Sequence, residues 1–184
     1  MLKLLIFAAF AIVFTAFVSE SAETIAQTKQ NDLAVPETLI VPRDITAAKR
    51  EVLTGAARKF YIFWNTGDDK LLREAISDKF FDHTLPVGRQ QGPGGPLAAS
   101  KAFLAAVPDL KVTVEQQILA VDRVVSHLRF TGHFTGVFKG VKGKGQLVDF
   151  IATDILRVTD GKITDNWHIE DNLTFLQQIG LVSQ

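Results

Sequence analysis

The chain has 184 residues, enough for one domain with its own core, and 47% of them are hydrophobic, which excludes a disordered polymer. Twenty Lys and Arg balance twenty Asp and Glu, so there is no basic footprint for nucleic acid. Zero Cys excludes thiol nucleophiles, disulfides, cysteine metal sites and lipoprotein attachment, while fourteen Phe against one Tyr and one Met point to an aromatic, apolar interior.

Met1 to about Ala22 reads as a secretory signal: Lys3 supplies a short positive region, Leu4 to Val18 is apolar apart from Thr15, and small residues follow at Ser19, Ser21 and Ala22. The run is shorter than the roughly 20 residues that span a bilayer. The expected organisation is therefore a signal peptide over 1–22, a linker or extended arm over 23–43 with Pro36 and Pro42, and a domain over 44–184. This predicts a secreted or periplasmic protein with no membrane contact after cleavage. An uncleaved N-terminal anchor is the alternative.

Within the domain, Asp44 or Thr46 can cap a helix running through Ala56, Phe60 and Phe63, which Asn65-Thr66-Gly67 stops. Asp68 or Asp69 caps a short second helix with Leu71, Leu72, Ala75 and Ile76. Phe80 to His83 reads as a brief strand. Arg89 to Gly95 is a Gly/Pro loop, and Pro96 opens a third helix over Leu97 to Val107. The period then changes to two. Leu110, Val112 and Val114 alternate with Lys111, Thr113 and Glu115, and a turn at Asp122-Arg123 leads into a long strand, Val124 to Thr135. Val137 to Gly145 is a Gly/Lys loop. Gln146 to Val158 and Lys162 to Ile169 form a hairpin, and Asp171 to Ile179 is a terminal helix carrying Leu173, Leu176 and Ile179. Helices segregated from an antiparallel sheet define an α+β fold. A strongly curved sheet with helices across its open side makes a cone with one apolar cavity.

The hairpin carries the candidate chemistry. A two-residue Asp160-Gly161 turn would set Asp154 opposite Trp167 and turn His168 to the other face; a three-residue Thr159-Asp160-Gly161 loop ending in a G1 bulge moves the register by one. The three-residue loop is favoured because Gly161 supplies the positive φ that such a bulge needs. Asp154 then lies opposite Asn166 and diagonal to His168, on one face with Phe150, Ala152 and Leu156. Asp82 and His83 are adjacent on a strand, so at most one of them lines the same cavity.

Several segments together resemble a known family. They are Asn65-Thr66-Gly67-Asp68, Val107-Pro108-Asp109-Leu110, Thr131 to Gly136, Asp154-Ile155-Leu156-Arg157, Asp160-Gly161-Lys162-Ile163, Trp167, Asp171-Asn172 and Gln177-Gln178-Ile179-Gly180. In this order, over roughly Ile45 to Val182, they resemble the SnoaL-like polyketide cyclases of the nuclear transport factor 2-like superfamily. The resemblance implies a cone-shaped α+β barrel, homodimerisation through the sheet, and cofactor-free acid–base chemistry in which a ring closes by intramolecular aldol condensation. It places the family's acid/base Asp at His168 and its partner His at Asp154, the two types exchanged across the pocket, with a polar position at Asp82 and Ala152 where a Gln would stand.

An imidazole titrating near neutrality suits a base that takes a proton next to a carbonyl. The expectation is therefore His168 as general base or acid and Asp154 as the partner that orients it, with Asp82, Phe150, Ala152, Leu156 and Asn166 against the substrate. The substrate is a small apolar carbonyl compound, undergoing cyclisation, isomerisation or dehydration. The rival reading is an exported, non-catalytic ligand-binding or interaction domain of the same fold. A structural salt bridge from Asp154 to Arg157 or Arg129 is the plainer reading of that carboxylate. His83, His127, His133 and His168 lack metal-site spacing, so no metal and no cofactor is expected. His127 falls on the outer face, His133 in a structural position, and Trp64 and Trp167 in the core.

Overall fold

A computed structural model describes residues 34–183. The predicted signal peptide lies outside the described residues. No described helix is long and apolar enough to cross a membrane.

Helix α1 spans Ala47–Thr66. Thr46 caps it, its hydroxyl accepting from the Lys49 N–H at 3.2 Å, and Gly67 ends it at φ +71°. Leu53, Ala56, Ala57, Phe60 and Phe63, spaced by three and four, form its buried stripe. Asp68 caps α2, Asp69–Ala75, which leads straight into strand β2, Ile76–Asp82. After a loop, α3 covers Gly94–Ala106. Strands β3 (Lys111–Ala120), β4 (Arg123–Phe134), β7 (Gln146–Thr159) and β8 (Lys162–Glu170) form the antiparallel body of the sheet, and each buries alternate residues. The Gly/Lys loop contains a miniature hairpin, β5 (Val137–Phe138) with β6 (Val141–Lys142). The stretch read as a linker or arm supplies β1, Thr38–Ile40, which pairs parallel to β3.

The six-stranded sheet runs β1-β3-β4-β7-β8-β2 and does not close. Parallel pairing of β2 with β8 brings the short strand beside the hairpin's returning arm. Terminal helix α4 is Asn172–Gln178, capped by Asp171. Its core residue is Phe175, not Leu173, which is exposed. Phe175 packs against Phe103, Phe138 and Phe150, and Phe150 stacks on Phe130 at 5.0 Å.

The hairpin turn differs from the expected three-residue loop. Thr159 pairs with Lys162, and Asp160 and Gly161 both have positive φ, 50° and 75°. This is a two-residue turn of the type I′ class, whose twist matches that of the flanking strands. A bulge further along restores the shared face. Val158 pairs with Ile163, but Arg157 pairs with Asp165, so Thr164 is an extra residue in β8. Asp154 consequently stands directly opposite His168, and Asn166 opposite Leu156. The side-chain face is the expected one; the register and its cause are corrected.

Candidate active site

The hollow between the sheet's inner face and the helices is a narrow cavity of about 40 Å³. Phe60, Phe80, Phe103, Phe130 and Phe150 make most of its apolar wall. Its polar groups are Asp82, Arg89, Asp154, Asn166, His168 and Glu170.

His168 is built from three sides. Its backbone N–H donates to the Thr84 hydroxyl at 2.8 Å. Its Nε2 meets Asp82 Oδ2 at 3.0 Å, because β2 lies parallel to β8 with Asp82 facing inward. Its Nδ1 meets Glu170 Oε1 at 3.0 Å, because Glu170 is two residues along the same strand and therefore on the same face. The outer partners are tied down in turn. Asp82 Oδ1 accepts from the Thr84 N–H, the Gln91 side chain bonds both the N–H and the carbonyl of Asp82, and Asn172 donates to Glu170. Burial alone would depress the imidazole, but hydrogen bonds and charge from the two carboxylates carry it up to about 10. At neutral pH His168 is thus a clamped imidazolium. Burial tends to raise Asp82 and Glu170 as well, yet the His168 contacts win and hold both below the ordinary carboxylate range.

Asp154 has the opposite surroundings. It sits at the buried floor of the cavity, and no arginine reaches it: Arg129 pairs with Asp149 and Glu115, and Arg157 with Asp165 and Asp122. Burial pushes its carboxyl up to about 7, against the pull of the His168 charge. Tyr61 and Asn166 lie beside it, but the Tyr61 hydroxyl and Asn166 Oδ1 make no hydrogen bond of normal geometry among the described residues. Desolvation, with the Asp154 charge next, drives the Tyr61 phenol well above its usual range, so it stays protonated.

The role expected for Asp154 as the orienting partner of His168 is therefore corrected. Both ring nitrogens are already occupied by Asp82 and Glu170. Phe150, Ala152 and Asn166 line the cavity, but Leu156 does not: it lies one step nearer the hairpin turn, fully buried in the packed core. Trp64 lines the cavity, and Trp167 is on the sheet's outer side, stacked on His83 at 4.1 Å with Arg123 and Arg157 over its ring. His83 bonds Asp165, His133 bonds Asp109, and His127 bonds Thr153 on the outer face. Glu170, Arg89 and Tyr61 were not anticipated. The two-residue spacing from His168 to Glu170 was the available signal for the first; nothing local marks the other two.

An unclosed sheet curled around an apolar hollow with a polar floor is a ketosteroid isomerase-like architecture. A Catenulispora acidiphila protein of that fold, solved with trimethylamine, aligns with a TM-score of 0.54 at 17% identity, covering 70% of this chain and 94% of its own. The chain belongs to the SnoaL-like polyketide cyclase family, whose model matches residues 54–179. A candidate polyketide cyclase from Bacillus cereus is 37% identical, covering 83% of this chain and 96% of its own, with a TM-score of 0.75. IdmH, a candidate polyketide cyclase from Streptomyces antibioticus, is 29% identical over 69% of this chain and 97% of its own, with a TM-score of 0.61. No curated protein matches the sequence.

Proposed function

We propose that this protein is a cofactor-free acid–base catalyst acting on a small apolar carbonyl compound, with Asp154 as the group that moves the proton and His168 as the fixed charge opposite it. The observation that carries this reading is the pairing of a buried carboxyl, raised to about 7, with an imidazolium whose two nitrogens are both held. A carboxylate raised to that range is a stronger base than an ordinary Asp and is ionised at mildly alkaline pH. Asp154 takes the proton from the carbon next to a carbonyl, and the C–H electron pair becomes the enolate. In a ring closure the enolate carbon attacks a second carbonyl of the same molecule; a C–C bond forms, the C=O π pair moves to oxygen, and Asp154 returns its proton to that alkoxide. Isomerisation or loss of water uses the same first step. His168 keeps its proton throughout and stabilises negative charge by its field.

The same proposal includes export and a homodimer. The Leu4 to Val18 run supports export, and exposed isoleucines on the outer sheet face support pairing.

The test is exchange of α-protons for deuterium, followed by NMR on a panel of small aromatic and aliphatic ketones. Wild-type protein is expected to exchange at least one of them, with a rate that rises through about pH 7 and falls near 10 as the two groups titrate. Asp154→Asn is expected to slow exchange by roughly 10²–10⁴-fold. Equal exchange by wild type and Asp154→Asn sinks the assignment.

A further inference from the structure

We infer that the molecule taken up by the cavity carries a carboxylate or comparable anionic group at its solvent-side end, and that Arg89 binds it. This rests on the cavity's being the substrate site proposed above and adds the substrate's charge. The cavity wall holds two cations, and they are not equivalent. Both nitrogens of His168 are committed to Asp82 and Glu170 at 3.0 Å. Arg89 lines the same cavity, yet among the described residues no carboxylate lies within ion-pair distance of its guanidinium and no hydrogen bond uses it. Glu170 feels its charge but spends its oxygens on His168 and Asn172.

Arg89 is not a loose surface side chain. Its backbone N–H donates to the Pro86 carbonyl at 3.0 Å, and Gln91, two residues on, is locked by two hydrogen bonds to the backbone of Asp82. The loop is also seated on the first turn of α3. A Cβ at Gly95 would lie 2.3 Å from the Gln90 carbonyl oxygen and 3.8 Å from Arg89 Cγ, so the close approach requires glycine there. The result is a half-buried guanidinium held against a hollow whose apolar wall is mostly phenylalanine. Such a group is stabilised when an anion with matching geometry replaces its lost water. Asp154 is buried at the floor and Arg89 is only half-buried. A bound molecule therefore points its anionic end outward and its reacting carbonyl inward, which describes a short apolar oxo acid.

Benzoate and benzamide have one ring and nearly one shape but differ in charge, so they isolate the effect. Titration calorimetry on the full chain is expected to show benzoate binding at least about ten-fold more tightly than benzamide, with the preference shrinking at high salt. Arg89→Gln is expected to bring the two within about two-fold, and Arg89→Lys to retain part of the preference because the charge survives without the fork. Melting temperatures check that both variants fold; should Arg89→Gln not fold, the reduced preference of Arg89→Lys decides. Equal binding of the two probes by wild type, no benzoate binding at millimolar concentration, or an unchanged preference in either folded variant overturns the inference. The proton-exchange assay on the same protein separates it from the catalytic reading. Absent exchange with an intact charge preference removes only the catalysis. Intact exchange with no preference removes only the role of Arg89.

Discussion

Two carboxyls lining one cavity, Asp82 and Asp154, are driven in opposite directions by their surroundings. Asp82 touches the His168 ring and accepts from the Thr84 backbone; Asp154 has neither kind of partner and is buried. That contrast has a consequence for stability. The folded-state proton affinity of Asp154 lies above its unfolded value, about 7 against 3.8. Between those values the native chain holds a proton that the unfolded chain has lost, so this residue makes stability fall as pH rises, and its full cost is present above about 7. Asparagine cannot titrate. The stability advantage of Asp154→Asn over wild type should therefore grow by roughly 2–3 kcal/mol between pH 5 and pH 8. Urea unfolding at the two pH values measures it, and parallel pH profiles for the two proteins would contradict a buried, high-affinity carboxyl at this position. His168 acts in the same direction over a higher pH window. Its ring is raised to about 10, so its stabilisation is complete below the unfolded value near 6.5 and disappears as pH climbs through the folded one.

At the scale of elements, the end of α1 is stapled to the sheet by one side chain. Asn65 donates from Nδ2 to the Val112 carbonyl at 3.1 Å and to the Tyr61 carbonyl at 3.2 Å, and its Oδ1 accepts from the Val112 N–H at 2.7 Å. It gives β3 the two hydrogen bonds that a neighbouring strand would otherwise provide. Asn65→Ala leaves the Val112 N–H and carbonyl unpartnered in a part-buried place and should cost about 2–3 kcal/mol by chemical denaturation. A loss under about 0.5 kcal/mol would mean that water replaces the side chain. The Asn65-Thr66-Gly67-Asp68 segment thus combines a sheet staple, a left-handed stop and the cap of the next helix. This explains why it was legible: capping and stopping are local chemistry, and the residue types announce them. The hairpin was legible in a weaker sense. Period-two alternation put Asp154 and His168 on strands that return on each other, but the bulge at Thr164 has no residue signature, since Thr suits a strand on either side of it. The inward face was reached through a different turn, the expected shift at Gly161 being replaced by one at Thr164. Least legible were the contacts made by β2. The distance from Asp82 to His168 along the chain is 86 residues, and only the parallel pairing of β2 with β8 closes it. Without that pairing on view, Asp154 was the only acid near enough on the strand opposite His168 to be assigned as its partner.

The whole molecule has two sheet faces that do different work. The inner face carries the cavity. The outer face carries Ile118 of β3, Leu147, Ile151 and Ile155 of β7 and Ile169 of β8, all exposed. Thr153 pairs with Ile169, so Ile151, Ile155 and Ile169 adjoin one another across two strands. Single exposed isoleucines need no explanation, whereas a run across neighbouring strands of one sheet is a surface that gains from being covered. The ion pairs of Arg129 with Asp149 and Glu115 lie on the same face and suit the polar rim of an interface. A second copy related by a two-fold axis would place the stripe against itself, the isologous arrangement commonest among soluble oligomers. The proposed homodimer is therefore expected to form through this face. Light scattering across a concentration series should give twice the chain mass for wild type and the single chain mass for Ile155→Glu combined with Ile169→Glu. Because both positions point away from the core, circular dichroism of the double variant should be unchanged. A wild-type protein that stays at one chain mass throughout, or a double variant that still scatters as a pair, would place the assembly surface elsewhere or remove it.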